Sequence, residues 1–365
     1  VIAKTPSERV MSKSFYIPSL DGMRAVAVMI VFVGHGALIG GPWPGHLGVT
    51  IFFFLSGYLI TTLLRREYEA SGRISLPSFY MRRLIRITPP ALVSIILCSL
   101  AGFLFLVPSD QDVWGTLATI LNYTNYYIVY SDGHGGLPPE SSMLWSLAVE
   151  EHFYLLFPAA LLIMLRRRLS YRRVASILLV AVLLAPLWRV LLALNGAGFY
   201  RLYTSTDTRF DGLLAGAAFA LVCNPVMGDR LPFEVRERFF MRWVMPVTVV
   251  ALALLSVVPR PVRVTIADTP IYALLAVIFW GIIVFPERGL ARLLNHRWVM
   301  HLGALSYSMY LVHRLILAIV HQHLPNPLIS DLVALVITLV TAQAIYAVVE
   351  KPLAALRRRM ESRAR

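Results

Sequence analysis

The sequence predicts an all-α fold, a polytopic membrane helix bundle of about ten transmembrane helices with both termini cytoplasmic. Three observations carry that expectation. Hydrophobic residues make up 58% of the 365 and charged residues only 15%, where a soluble domain has about half and a quarter. The apolar residues are gathered into ten stretches of near-spanning length. Lys and Arg then fall on alternate sides: 27 of the 34 lie in one set of connections, and only Arg201, Arg260 and Arg263 in the other. Cytoplasmic loops carry such an excess. The same asymmetry accounts for the net charge of +14 without nucleic acid, because the basic residues form short runs between apolar stretches and no patch. The mean hydropathy of +0.68 excludes disorder. Two cysteines, Cys98 and Cys223, exclude a disulfide scaffold. Barrel strands are shorter and alternate in polarity, which excludes a β-barrel.

A helix needs about 20 mostly apolar residues to cross the hydrocarbon core. The expected spans are 23–41, 47–64, 90–107, 144–165, 174–194, 208–223, 243–258, 269–285, 303–321 and 329–349. The sixth and seventh are short and read as tilted or interfacial. The first is not a cleaved signal peptide: it has no small-residue cleavage pattern and the second span follows almost at once. This gives a cytoplasmic N-terminal segment over 1–22, one membrane domain over 23–350, and a basic cytoplasmic tail over 351–365. The longest loop, 108–143, has no Lys or Arg and lies outside, over the mouth of the bundle. Residues 113–130 within it read as helical but too polar to span.

Ionisable residues within spans are costly and face a bundle interior or a cavity. Arg24 and His35 are eleven residues apart, close to three whole turns, so they share one face about 16 Å apart. Asp21 falls near the same stripe. Inward from their ends, Glu150 lies about 9 Å along the fourth span and His313 about 15 Å along the ninth. In a core about 30 Å thick, His35, Glu150 and His313 therefore share one slab, with His35 near the middle and Arg24 at the cytoplasmic lip. The simpler reading of a buried histidine is a hydrogen-bonded core residue, and glycine pairs such as Gly36–Gly40 and Gly212–Gly216 serve close packing. The cost of burying both Arg24 and His35 favours function. Tyr154, Tyr307 and Tyr310 read as core or interface aromatics as readily as site residues. Arg189, Arg209 and Asp211 cluster towards the outside, where an Arg209–Asp211 pair joining two helices is the simpler account. Arg82, Arg83 and Arg86 read either as a positive-inside anchor on anionic lipid or as a phosphate clamp. No metal constellation appears; His321 and His323 are close but are expected at an outer helix end without a carboxylate partner. Nucleophile elbows, Walker loops and dinucleotide fingerprints are absent.

Seven segments in order resemble the acyltransferase-3 family of integral membrane acyltransferases, which includes bacterial surface-polysaccharide O-acetylases. Residues 17–35 read IPSLDGMRAVAVMIVFVGH, 49–61 VTIFFFLSGYLIT, 79–89 FYMRRLIRITP and 144–158 LWSLAVEEHFYLLFP. Residues 209–216 read RFDGLLAG, 302–313 LGALSYSMYLVH, and 350–352 EKP. Phe210 and His152 depart from the family pattern. The extracytoplasmic hydrolase-like domain of some relatives is not among these residues, so transfer is expected to be completed by the membrane domain or by a separate protein.

The resemblance implies a multi-pass protein of the bacterial inner membrane. It implies an acyl-CoA donor, acetyl-CoA above all, entering from the cytoplasm, and a hydroxyl acceptor on a surface or lipid-linked glycan, with no metal. It raises the phosphate-clamp reading of Arg24, Arg82, Arg83 and Arg86. His35 is then the expected general base, since imidazole is neutral near its pKa of about 6.5, with Glu150 fixing its tautomer. A covalent route through His35 or Ser146 is the other possibility. Asp21, Tyr154, Arg209, Asp211, Tyr307, Tyr310 and His313 are the candidate substrate contacts. The alternatives are a glycan or lipid transporter or flippase with a polar path at mid-membrane, which lacks an inverted repeat here, and a non-catalytic membrane sensor.

Overall fold

A computed structural model describes residues 17–38, 45–229 and 235–363, the side chains of 260 and 358–363 apart. The expected N-terminal segment up to residue 16, residues 39–41 at the end of the first expected span, Arg230 in a basic connection, and the last two residues lie outside the described part. Among the described residues, regular structure is helical throughout, with one isolated bridge between Gln111 and Gly136.

The long helices are α1 (Pro18–His35), α2 (Gly45–Ser71), α3 (Leu76–Phe103), α6 (Trp145–Arg166), α7 (Tyr171–Leu194), α9 (Thr206–Val222), α10 (Glu237–Ser256), α11 (Arg263–Val284), α13 (Arg297–His323) and α14 (Pro327–Ile345). Short helices α4 (Val113–Ile120), α5 (Thr124–Tyr130), α8 (Phe199–Thr204) and α12 (Gly289–Leu294) lie between them, and α15 (Lys351–Arg363) follows. Nine of the described helices are long and apolar enough to cross a membrane. The protein is a multi-pass membrane protein. The remaining expected span, the first, is α1, whose 18 residues reach about 27 Å and include Asp21, Arg24 and His35. The helices α2 and α13 pack on it.

Three expected boundaries differ. The helix α3 starts at Leu76, so the Arg82–Arg86 run lies on it and Pro89–Pro90 do not end it. The seventh span is longer than expected because α10 begins at Glu237. The expected C-terminal tail is helical, continuing α14.

Proline explains the irregular turns. Its ring clashes with the carbonyl four residues earlier, and a π turn is one way a spanning helix relieves that. Pro246, Pro270 and Pro352 each follow a π turn, at Phe240–Val244, Arg263–Ala267 and Tyr346–Glu350. In each case the residue four before the proline lies inside the turn.

Glycine sets the crossings. The most buried span is α2, with 78% of its apolar window inside the protein, against 17% for α7 at the rim. Gly57 of α2 meets the Leu213 carbonyl of α9, and Gly216 of α9 meets the Phe54 carbonyl of α2. Any Cβ there would strike backbone. Gly303 of α13 likewise lies on the backbone of Asp21. Of the glycine pairs picked out in the sequence, Gly212–Gly216 lies at this crossing; Gly36 packs on the Asp331 carboxylate, and Gly40 is outside the described residues.

One end of α2 is tied down by charge. Arg65 donates from Nη1 and Nη2 to the two oxygens of Asp229 at 2.6 and 2.9 Å, and from Nε to Glu69 at 2.8 Å. Burial alone would raise the Asp229 pKa; the Arg65 bonds and the Asn224 N–H outweigh it and hold the pKa below its ordinary value.

Two outcomes follow. Gly216→Val should destabilise the α2–α9 crossing by about 1–3 kcal/mol or more, read as a lowered thermal midpoint in detergent. The Arg65–Asp229 contribution should be complete above the ordinary carboxylate pKa and be lost as pH falls through the lowered folded value. Asp229→Asn should remove that acid-side loss, measured as midpoint against pH.

Candidate active site

His35 is the last residue of α1, whereas the sequence carried this span on to residue 41. Arg24 correspondingly lies inside the helix, about 9 Å from its start. His313 of α13 meets His35, with Nε2 at 3.1 Å from His35 Nδ1 and ring centroids 5.1 Å apart. His313 is buried, whereas His35 is exposed. Since α13 continues ten residues beyond His313, His35 lies about 15 Å back from the tip of that helix.

The hydrogen bonds fix the tautomers. A carbonyl oxygen only accepts. His313 Nδ1 lies 2.7 Å from the Tyr310 carbonyl, so Nδ1 carries the proton and Nε2 of the neutral ring is an acceptor. His35 Nδ1 faces that acceptor and also the Val31 carbonyl at 3.0 Å, so it too must be protonated. The proton-free nitrogen of a neutral His35 is then Nε2, which has the lone pair a general base needs.

Glu150 does not make the expected contact with His35. Its Oε2 accepts from Tyr154 at 2.7 Å and from Ser56 at 3.3 Å, and the Ser56 and Tyr154 hydroxyls bond each other. The guanidinium of Arg83 lies over the Tyr154 ring, 5.3 Å from its centroid. Ser146, one turn from Glu150, shares a 2.6 Å bond with the Tyr310 hydroxyl, which donates to the Met143 carbonyl at 2.8 Å. Tyr310 in turn packs 5.6 Å from the His313 ring. Polar side chains thus run from Arg83 past Glu150, Ser146 and Tyr310 to the histidine pair. Ser146 is buried with hydroxyl and carbonyl partners, so no imidazole activates it as a nucleophile.

The basic residues divide. Arg24 pairs with Asp21 at 2.5 Å, as the stripe on α1 anticipated. Arg86 is close enough to Arg24 and Arg83 to repel both. Arg82 turns away to Glu67 at 3.3 Å. Tyr307 donates to the Ile87 carbonyl at 2.7 Å, which ties α13 to α3.

The outer charges pair differently from the sequence reading. Arg209 bonds Asp268 of α11, and Asp211 takes Arg189 of α7 at 2.5 Å. Residues two apart on a helix do not face each other, so Arg209 and Asp211 reach different neighbours. All four are almost wholly buried. This is a network joining α7, α9 and α11, separate from the histidine pair.

His321 does have a carboxylate partner. Asp331 of α14 accepts from His321 Nε2 at 2.8 Å and from the backbone N–H of Ala37 and Leu38 at 3.0 and 2.8 Å. It holds the chain immediately after His35. Asp331 sits inside the tenth expected span, and an acid there was a signal the sequence reading passed over. Ser56 and Glu140, the partner of Arg314 at 2.6 Å, gave no such signal. Among the described residues, no group of three or more His, Cys, Asp or Glu could hold a metal ion.

Residues 17–347 match the family described as an acyltransferase domain, acyltransferase-3. The chain belongs to this family. Of the acyltransferase-3 segments, 17–35, 49–61, 144–158 and 302–313 supply the polar path from Glu150 and Ser56 to His35. A Staphylococcus aureus protein provisionally named an O-acetyltransferase is 29% identical over 96% of this chain and 59% of its own length. A Bacillus subtilis protein provisionally named a peptidoglycan O-acetyltransferase is 30% identical over 93% of this chain and 55% of its own. The peptidoglycan O-acetyltransferase OatA of Listeria monocytogenes is 35% identical over 57% of this chain and 34% of its own. The chain thus spans less than two thirds of the length of these acyltransferase-3 relatives. No solved structure matches it.

Asp268→Asn should leave Arg209 buried without its counter-charge, at a cost of about 3–5 kcal/mol. The measurement is thermal unfolding of purified protein, with yield in the membrane as a second readout.

Proposed function

We propose that the chain is the membrane part of an O-acyltransferase that moves an acyl group, acetyl above all, from cytoplasmic acyl-CoA to a hydroxyl of a surface or lipid-linked glycan. Residues 23–350 are its membrane domain in the bacterial inner membrane, with the flanks 1–22 and 351–365 on the cytoplasmic side. The excess of Lys and Arg in one set of connections supports that orientation. The peptidoglycan named for two relatives supports a glycan acceptor. The observation that carries the reading is the histidine pair, in which Nδ1 of the exposed His35 is held and Nε2 is left without a proton.

His35 Nε2 takes the proton of the acceptor hydroxyl as its oxygen attacks the thioester carbonyl carbon. The imidazolium so formed keeps its Nδ1–H on His313 Nε2 and the Val31 carbonyl. When the carbon–sulfur bond breaks, His35 returns the proton to the sulfur, giving free thiol and ester. His313 is a positioning residue: it sets which nitrogen of His35 is free. Arg24 lies about three helical turns from His35, Arg86 is near Arg24 and Arg83, and these three are the cations that would meet the phosphates of the donor. Arg82 belongs to the same set and also reaches Glu67 at 3.3 Å. Glu150, held by Ser56 and Tyr154, lines the path between the two ends.

Purified wild-type protein should release CoA from acetyl-CoA when given a glycan acceptor. His35→Ala should lose about 10²–10⁴-fold in rate with its thermal midpoint kept. His313→Leu should lower kcat by about 10- to 100-fold at unchanged KM. His313→Gln, whose side-chain oxygen can still accept from His35 Nδ1–H, should recover part of it. An active His35→Ala enzyme would remove the base assignment; equal rates for the Leu and Gln variants would remove the tautomer role of His313.

A further inference from the structure

Asp331 has no part in the chemistry above, yet its carboxylate closes on the residues that follow His35. Oδ1 accepts from the Ala37 N–H at 3.0 Å, and Oδ2 from the Leu38 N–H at 2.8 Å. Oδ1 also takes the Nε2–H of His321 at 2.8 Å. Both oxygens are therefore used, and α13, α14 and the chain leaving α1 meet at one group. The Asp331 side chain is 13% exposed. An acid within an apolar span is expensive and by default functional.

Gly36 has the form that this contact needs. Its φ of −70° is open to any residue, so the backbone there does not call for glycine. A Cβ at that position would strike the Asp331 carboxylate. The missing side chain is what lets the carboxylate reach the next two N–H groups. From the other direction, His35 Nδ1 faces the Val31 carbonyl at 3.0 Å and His313 Nε2 at 3.1 Å. His321 lies eight residues past His313, about 12 Å along α13. One helix thus supports both the ring and the carboxylate behind it. Helix ends fray, and a reacting group misplaced by about 1 Å can cost about 10²-fold in rate. A base on the last residue of a helix needs its exit fixed.

We infer that Asp331 is a positioning residue for His35: its grip on the Ala37 and Leu38 N–H groups stops the last turn of α1 from fraying and keeps the His35 ring on His313, with His321 orienting the carboxylate. The effect on turnover rests on the acyltransferase reading with His35 as base; the grip itself rests on the contacts.

The test uses the full chain in nanodiscs, as wild type, His35→Ala, Asp331→Ala, Asp331→Asn, Gly36→Ala, and Gly36→Ala combined with Asp331→Ala. CoA release from acetyl-CoA is followed with muropeptides as the acceptor probe. Side-chain ¹⁵N spectra of histidine-labelled protein report which ring nitrogen is protonated, the His35 signals being those missing from His35→Ala. Asp331→Ala should lower kcat by about 10- to 100-fold at unchanged KM for acetyl-CoA. Asp331→Asn, with one accepting oxygen left, should lose less. Gly36→Ala should lose as much as Asp331→Ala, because its methyl displaces the carboxylate. Added to Asp331→Ala it should cost nothing more, since nothing remains to be displaced. His35 should be protonated at Nδ1 in wild type and be a mixture of both tautomers in Asp331→Ala. A wild-type kcat and an unchanged spectrum in Asp331→Ala would overturn the inference. So would a lowered thermal midpoint with kcat per folded molecule kept, or additive losses in the double variant. If His35→Ala turns over like wild type, or wild type releases no CoA, while the Asp331→Ala spectrum still changes, the base reading fails and the grip on the ring stands.

Discussion

The carbonyl of Tyr310 can only accept a hydrogen bond, and that restriction orders the protons of two rings. It places a proton on His313 Nδ1, makes His313 Nε2 an acceptor, and so places a proton on His35 Nδ1. A helix carbonyl thereby selects the nitrogen that a substrate could meet, two residues away from itself in the chain of contacts. No carboxylate is needed for this. Glu150, the obvious acid at the same depth, is engaged by two hydroxyls elsewhere.

That arrangement requires α1 to end at the level of His313, and the fold provides it. Gly303 lets α13 lie on the backbone of α1 at Asp21, and Gly48 lets α2 approach it at Ala27. Beyond His35, Asp331 accepts two backbone N–H groups of the departing chain. The N–H groups are fixed by a side chain from α14, whose other contact is His321 of α13. The end of the short helix is thus held by its neighbours, and the ring at its tip is open to the surface.

The buried charges serve two different purposes. Arg189, Asp211, Arg209 and Asp268 are paired and almost wholly enclosed, so they join helices. The cations at the foot of α1 and α3 are differently placed: Arg24 has Asp21, and Arg86 lies near Arg24 and Arg83 as well as the carboxylates of Glu150 and Glu350.

The helical class, the spacing of the spans and the family are legible in the order of residues, because bilayer thickness and backbone hydrogen bonding impose lengths that a one-dimensional pattern records. It also placed Arg24 and His35 on one stripe, since helical periodicity is local. The partners emerge in three dimensions: His313 and not Glu150 for His35, Asp268 and not Asp211 for Arg209, Asp331 for His321. Depth restricts which residues share a level, but rotation of each helix about its axis chooses among them. That rotation is set by glycine contacts and proline-driven π turns between segments far apart in the chain, which no local spacing encodes.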